Sequence, residues 1–247
     1  MKLNNESIVN PVLNNISKPF FSRKEIEEAA FLCIPDFSKG KMRNLLEDML
    51  KLGAINRVGR NCYVKGNGKL AYRGRLSELA LQVKEKIEMD FPYLEFQIWE
   101  LTWLNEFLNH LVAHNRIFVN VENDGCEFVY TALNSEYGNS LLLKPSEKEI
   151  DYYSKDNGII IDRLVSEAPA SEPHIPALET VIVEMFGGKV LPQLISKGDY
   201  AETLEIMFSK YIIDQSRLFR YARRRNKERI IVDYIGNNTN ISLIVEG

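Results

Sequence analysis

Phe21-Ser22-Arg23-Lys24-Glu25-Ile26 opens the stretch that decides the fold, and Gly53-Ala54-Ile55-Asn56-Arg57-Val58-Gly59-Arg60-Asn61-Cys62-Tyr63-Val64-Lys65 closes it. Ser22 followed three positions later by Glu25 is a capping box, so a helix begins there. Its apolar positions Ile26, Ala29 and Ala30 point to a core. Cys33-Ile34-Pro35-Asp36-Phe37 reads as a turn. Ser38 then caps a second helix, from about Lys39 to Leu52, whose Met42, Leu45, Leu46, Met49 and Leu50 make one apolar stripe. Gly53 stands where a C-terminal cap is expected. After it the period changes to two: residues 54–58 and 61–65 read as short strands with Gly59-Arg60 at the hairpin tip. Helix, turn, helix and basic hairpin is the order of a winged helix-turn-helix.

Working outward, charge separates this region from the rest. The 247 residues carry 31 Lys and Arg against 34 Asp and Glu, a net charge of −3. Residues 1–75 hold 14 basic against 7 acidic residues, and the remainder holds 17 against 27. A basic head on an acidic body suits a protein of which only one part meets phosphate. A recognition helix enters the major groove and reads base edges, where Asn pairs with adenine and Arg with guanine. Lys39, Lys41, Arg43 and Asn44 occupy the first turns of the second helix, and the hairpin adds Arg57, Arg60, Lys65 and, at its tip, Asn61. These eight are the candidate DNA-binding residues. The alternative is that they are the solvated face of a small helical domain.

The chain length fits two domains, read here as residues 1–70 and 76–247, with a Gly- and charge-rich linker over 67–75. Upstream, Ile8, Val9, Val12, Leu13 and Ile16 predict a short helix interrupted or started by Pro11 and ended by Pro19. Downstream, helices are expected over 76–89, 101–115, 146–153, 176–186, 200–211 and 215–227. Strands are expected over 94–98, 117–121, 126–133, 141–143 and 159–161, with a turn at 122–125 joining two of them. The fold class is therefore α+β, a winged helix-turn-helix followed by a mixed α/β domain. No apolar run approaches the roughly 20 residues of a membrane helix, and residues 1–6 lack a signal peptide's apolar stretch. A cytoplasmic protein with no membrane partner is expected.

A catalytic set is hard to find. There is no Gly-rich phosphate loop, no GxSxG and no HExxH. Cys33, Cys62 and Cys126 are too few and too scattered for a zinc site. His110 and His114 stand four apart on the expected apolar helix 101–115, with no third ligand at a recognisable spacing. Glu122, Asp124 and Glu127 invite comparison with a metal-dependent nuclease, but no acid-x-Lys strand follows. The expectation is no enzyme, no catalytic residue, no metal and no cofactor. One further cluster stands out: Arg217, Arg220, Arg223, Arg224 and Arg225 crowd one expected helix. Like charges at that density need phosphate or carboxylate nearby, so the helix either holds phosphates or an acidic partner, or pairs with the acidic second domain.

The segments 21–26 and 52–63 resemble the winged helix of AbiEi-type proteins, the antitoxin and regulator halves of abortive-infection systems. Residues 99–109, Leu142-Leu143-Lys144-Pro145-Ser146, residues 177–184 and Arg220-Tyr221-Ala222-Arg223-Arg224-Arg225 extend the resemblance over most of the chain. It implies a repressor of its own operon that binds inverted repeats in double-stranded DNA. It also implies functional opposition to a cognate nucleotidyltransferase-like toxin, and the crowding of arginines makes the Arg217–Arg225 helix the expected working surface. Two other functions stay open: a nuclease-like nucleic-acid-processing enzyme targeted by a winged helix, and a protein-interaction module.

Overall fold

The capping box read at Ser22 and Glu25 forms, and a second one opens the helix expected from residue 146. Ser22 Oγ accepts from Glu25 N while Glu25 Oε2 accepts from Ser22 N at 2.7 Å, and Ser146 and Glu149 repeat the exchange. The computed structural model describes residues 5–66, 68–153, 156–188 and 191–244. Residues 1–4, where the leader was sought, and Asn67 of the expected linker lie outside them. In chain order the elements are α1 (Asn5–Asn14), α2 (Arg23–Cys33), α3 (Met42–Lys51), β1 (Ile55–Gly59), β2 (Cys62–Lys65), α4 (Glu78–Asp90), β3 (Phe96–Glu100), β4 (Arg116–Val121), α5 (Cys126–Tyr137), β5 (Leu141–Leu143), α6 (Glu147–Tyr153), β6 (Gly158–Arg163), β7 (Ala170–Glu172), β8 (Ile175–Pro176), α7 (Leu178–Gly187), α8 (Leu191–Leu194), α9 (Tyr200–Lys210), α10 (Gln215–Arg224) and α11 (Glu228–Asn238). The fold is mixed α/β. No helix of the described residues is long and apolar enough to cross a membrane.

The chain divides into two units. The first is residues 1–71, joined by 210–216 and 243–247, and the second is residues 72–209 with 217–242. The sequence reading ended the first domain at residue 70 and did not anticipate the two later segments that return to it.

In the first unit α1, α2 and α3 surround one apolar cluster. Val9 and Val12 of α1, Ile26 and Ala30 of α2, and Met42 and Met49 of α3 are buried together with Ile55 and Tyr63 of the hairpin. Pro11 lies inside α1, in its second half, where it withholds one backbone N–H from the helix. Gly53 ends α3 with φ +65°, its N–H donating to Leu50 O and the next N–H to Met49 O. That is the Schellman arrangement, which favours glycine at this position. β1 and β2 pair antiparallel, and Phe21 adds a bridge to Tyr63. Behind the hairpin, Arg60 N donates to Ser216 Oγ at 2.7 Å and Ile244 N to Gln215 Oε1 at 2.7 Å.

The second unit is built on a four-stranded sheet of order β3-β4-β6-β5. β3 and β4 are antiparallel, whereas β4, β6 and β5 run parallel. α7 is apolar on nearly every side and is buried accordingly. Glu100 is a buried carboxylate matched to two donors, Ser77 N and Asn115 Nδ2.

Four expectations are corrected here. Residues 101–115 are no α-helix: a 3₁₀ turn covers Leu101–Glu106 and irregular chain follows. The buried residues Leu101, Leu104 and Phe107 recur every third position, the 3₁₀ period. Asn105 Oδ1 then captures Val112 N and Asn115 Oδ1 captures Thr102 N, giving the backbone alternatives to helix. Residues 126–133 are helix rather than strand, because Cys126, Val129 and Leu133 share a helical face and residues 122–125 form the turn leading into it. β4 finds its parallel partner in β6 instead. The last expected helix stops at Arg224 and α11 follows. Asn226, at φ +55°, makes the same Schellman exchange as Gly53, with its N–H on Arg223 O and Lys227 N–H on Ala222 O. Residues 72–75 are also no free linker: Tyr72 meets Trp103 and Phe107, and Trp103 Nε1 donates to Arg75 O at 2.7 Å. Gly74 lies flat under that indole, where a Cβ would come within 2.1 Å of the ring.

Candidate functional site

The stripe that buries Met42, Leu45 and Met49 leaves the opposite side of α3 in water. Lys39 and Lys41, in the 3₁₀ turn entering the helix, and Arg43 and Asn44 in its first turn are all exposed. Lys41 Nζ donates to Asp36 O at 2.8 Å, which orders it without neutralising it. Arg43 pairs with Glu47 one turn on, at 3.0 Å. Its side chain is 83% exposed, so water screens most of that attraction. Asn44 and Lys39 make no side-chain bond among the described residues.

On the hairpin, Arg57, Arg60 and Lys65 are exposed, and Arg57 Nε donates to Gly59 O at 3.2 Å. Asn61 sits at φ +52° at the tip, and its Oδ1 accepts from Arg23 N at 3.0 Å. It thereby serves an orphan donor in the first turn of α2. Its carbonyl is engaged in holding the unit together, so the expected base contact from Asn61 is weaker than that from Asn44. Arg23 itself is exposed beside this tip, a cation the sequence reading left out.

Glu25 shows the local electrostatics of this unit. The Lys18 ammonium and the Ser22 backbone N–H hold its carboxyl well below the usual range, at about 2. A carboxylate that could oppose phosphate is thus committed to a lysine and a helix N-terminus.

The arginine-rich helix α10 has different surroundings. Leu218, Tyr221 and Ala222 are buried. Arg220 and Arg224 both reach Glu167, at 3.8 and 3.3 Å. Arg223 pairs with Glu228 at 2.6 Å and Arg225 with Glu184 at 2.7 Å. Arg217 Nη2 donates to Ala170 O. Glu184 also accepts from Tyr221 OH, and burial pushes that phenol's pKa up. The cluster that called for phosphate or carboxylate is answered by carboxylates of its own unit, so it needs no outside partner. This is the internal pairing that the sequence left open beside a partner-binding role for Arg217, Arg220, Arg223, Arg224 and Arg225.

His110 and His114 are exposed on irregular chain and no longer share a helix face. Among the described residues no group of three or more His, Cys, Asp or Glu is placed to hold a metal. All three cysteines are free thiols.

One feature escaped the sequence reading. A cavity of about 290 Å³ lies within the second unit over one face of its sheet. The rings of Trp99 and Phe118 stack in its wall at 4.3 Å. Asn120 and Asp162, register partners at the carboxyl ends of parallel strands β4 and β6, stand at its polar end. Only the pairing of β4 with β6, distant in sequence, brings them together.

No curated protein matches this chain. Among solved structures, the crystal structure of the Rv2827c protein from Mycobacterium tuberculosis is similar at 8% identity over 96% of this chain and 83% of that one, with a TM-score of 0.23. Residues 41–241, spanning α3 through α11, match a family of unknown function, and the chain belongs to that family, DUF6577.

Proposed function

We propose that residues 1–70 act as a winged-helix DNA-binding domain and that the protein is a transcriptional autorepressor and antitoxin of the AbiEi type. The observation that carries the first half is the exposed start of α3. Lys39, Lys41, Arg43 and Asn44 project from a helix whose other side is fixed in a core by Met42, Leu45 and Met49. A rigid helix with cations in its first turns can enter a major groove and set its register on phosphates, leaving Asn44 to read a base edge. Arg57, Arg60 and Lys65 give the neighbouring hairpin the charge of a wing that follows the backbone. The partner is duplex DNA, as inverted repeats upstream of the protein's own gene. Opposition to a cognate nucleotidyltransferase-like toxin rests on the AbiEi resemblance of residues 99–109, 142–146, 177–184 and 220–225, and no turnover is required of the second unit.

A mobility-shift titration of the full chain against DNA from upstream of its gene tests the first half. Binding whose affinity falls steeply with salt, through counterion release, is expected. No shift at low salt on that DNA or on random duplex would refute it. Sequencing the neighbouring open reading frames and co-expressing any nucleotidyltransferase found there tests the second half: growth should recover. Failure to rescue, with repression intact, would leave a regulator that is no antitoxin.

A further inference from the structure

We propose that the cavity over the second unit's sheet takes a small organic cation, a primary amine on an apolar body, with Asp162 as its counter-ion. This goes beyond the DNA-binding and antitoxin proposal and does not depend on it. In open α/β sheets, ligands gather outside the carboxyl ends of parallel strands. Asn120 is the penultimate residue of β4 and Asp162 that of β6, they face each other in register, and both line the cavity. At about 290 Å³ the cavity stands at the small end of the range for ligand pockets, roughly 300–1,000 Å³. It suits one ring with a short polar arm.

Charge decides the class of ligand. Side chains alternate across a strand, so Phe118, Asn120, Ile160 and Asp162 share the cavity face. Arg163 follows Asp162 in β6 and turns its side chain to the other face of the sheet. Glu184 and Arg225 meet in the cavity wall as an ion pair at 2.7 Å, and Tyr221 OH holds the other Glu184 oxygen. That pair neutralises itself. Asp162 Oδ1 accepts from Arg163 N, and Oδ2 has no hydrogen-bond partner among the described residues. One uncancelled negative charge therefore faces the cavity. A carboxylate only accepts, so the ligand must bring donors, and a positive charge with them.

Two neighbours reinforce that demand. The Asn120 side chain makes no hydrogen bond among the described residues. It stands one strand from Asp162, about 4.8 Å away in the backbone, so its carbonyl oxygen can join the carboxylate on one ammonium. Helix α7 ends in the same wall at Gly187 and Gly188. A helix C-terminus carries partial negative charge and favours cations. Lys227 passes beside Gly187 but does not line the cavity. Trp99, Phe118 and Ile160 form an apolar floor for the body of the ligand. Trp99 Nε1 and Arg225 Nε are donors without partners among the described residues, yet both atoms are buried behind the wall and offer nothing to an anion.

Isothermal titration calorimetry of the full chain with phenethylamine, 2-phenylethanol and phenylacetate tests this. The three share a ring and a short arm and differ in being cationic, neutral and anionic. Phenethylamine should bind, 2-phenylethanol about tenfold or more weakly, because hydrogen bonds between ionised groups are the stronger kind, and phenylacetate not at all. Asp162→Asn should weaken phenethylamine about tenfold or more and leave 2-phenylethanol unchanged. Asn120→Leu should weaken phenethylamine about threefold, the loss of one neutral acceptor. Thermal melting of both variants separates ligand loss from misfolding, and Asn120→Leu carries the test if Asp162→Asn melts early. No heat with phenethylamine at millimolar concentration overturns the proposal. So does 2-phenylethanol or phenylacetate binding as tightly as phenethylamine, or phenethylamine affinity unchanged in a variant that melts like the wild type.

Discussion

Helices α3 and α10 are each loaded with basic residues, yet what surrounds those residues differs. The α10 run is the denser, with five arginines between residues 217 and 225. Four of them end on carboxylates, and the Arg225–Glu184 pair is only 24% and 15% exposed. The α3 cations are fewer, but Lys39 and Lys41 meet no carboxylate among the described residues and Arg43 meets only an exposed one. Charge density along a sequence therefore does not reveal a binding surface. The deciding quantity is how much of the charge the fold itself cancels. A cancelled cluster supports stability, whereas an uncancelled one leaves a field in the solvent that steers a phosphate partner.

The sharpest way to break this contrast is to remove a carboxylate from under α10. Glu184→Ala strands the Arg225 guanidinium and the Tyr221 hydroxyl, both largely buried. Breaking such a pair from one side costs about 3–5 kcal/mol. Urea unfolding followed by far-UV circular dichroism should show a loss of that size. A loss below about 1 kcal/mol would mean the pair is solvated and α10 retains its charge.

Glu167→Gln probes the more exposed half of the same cluster, where the carboxylate and its two arginines are each 41–58% exposed. Screened pairs of this kind contribute about 0–1 kcal/mol. The same unfolding measurement should therefore show little change in stability. A large loss would show that Glu167 is as structural as Glu184.

Acid should act on the first unit through Glu25. Its carboxyl is depressed to about 2 from an ordinary value of 4.5, by Lys18 first and the Ser22 backbone second. Its contribution is complete above pH 4.5 and is lost as pH falls toward 2, because the unfolded chain takes up the proton first. Melting temperatures of the wild type and Glu25→Gln between pH 2 and 6 should converge at the acid end. Parallel curves would show that the capping box contributes nothing titratable.

The smallest expected effect on stability is at the surface of α3. Lys39→Gln should leave unfolding within about 0.5 kcal/mol of the wild type, as surface changes without partners usually do. It should nevertheless lower the salt slope of DNA binding by about 1. A slope identical to that of the wild type would remove Lys39 from the interface.

The first unit was largely legible in the sequence because its signals are local. Ser22 and Glu25, the Met42–Met49 stripe, Gly53 and the two-period hairpin each act within a few residues. The failures come where distant residues decide. Residues 101–115 look helical by composition, but Asn115 is spoken for by Glu100 and Asn105 by Val112. Residues 126–133 were read as a strand because β4 needed a partner, and that partner, β6, lies more than thirty residues further on. The same crossover hid the cavity, since Asn120 and Asp162 become neighbours only through it. α11 was missed because Asn226 ends α10 in a conformation usually given to glycine.

The most direct test of the contrast between the helices sets two variants of the full chain against upstream DNA in one salt series. One carries Lys39→Gln, Lys41→Gln and Arg43→Gln, and the other Arg220→Gln, Arg223→Gln and Arg224→Gln. The α3 variant should melt as the wild type does and lose DNA binding, with a salt slope lower by about three. The α10 variant should bind with the wild-type slope and, because its three arginines make only exposed pairs, melt close to the wild type. If the α10 variant loses the DNA while the α3 variant keeps it, the uncancelled charge lies on the other helix and the assignment of the interface is wrong.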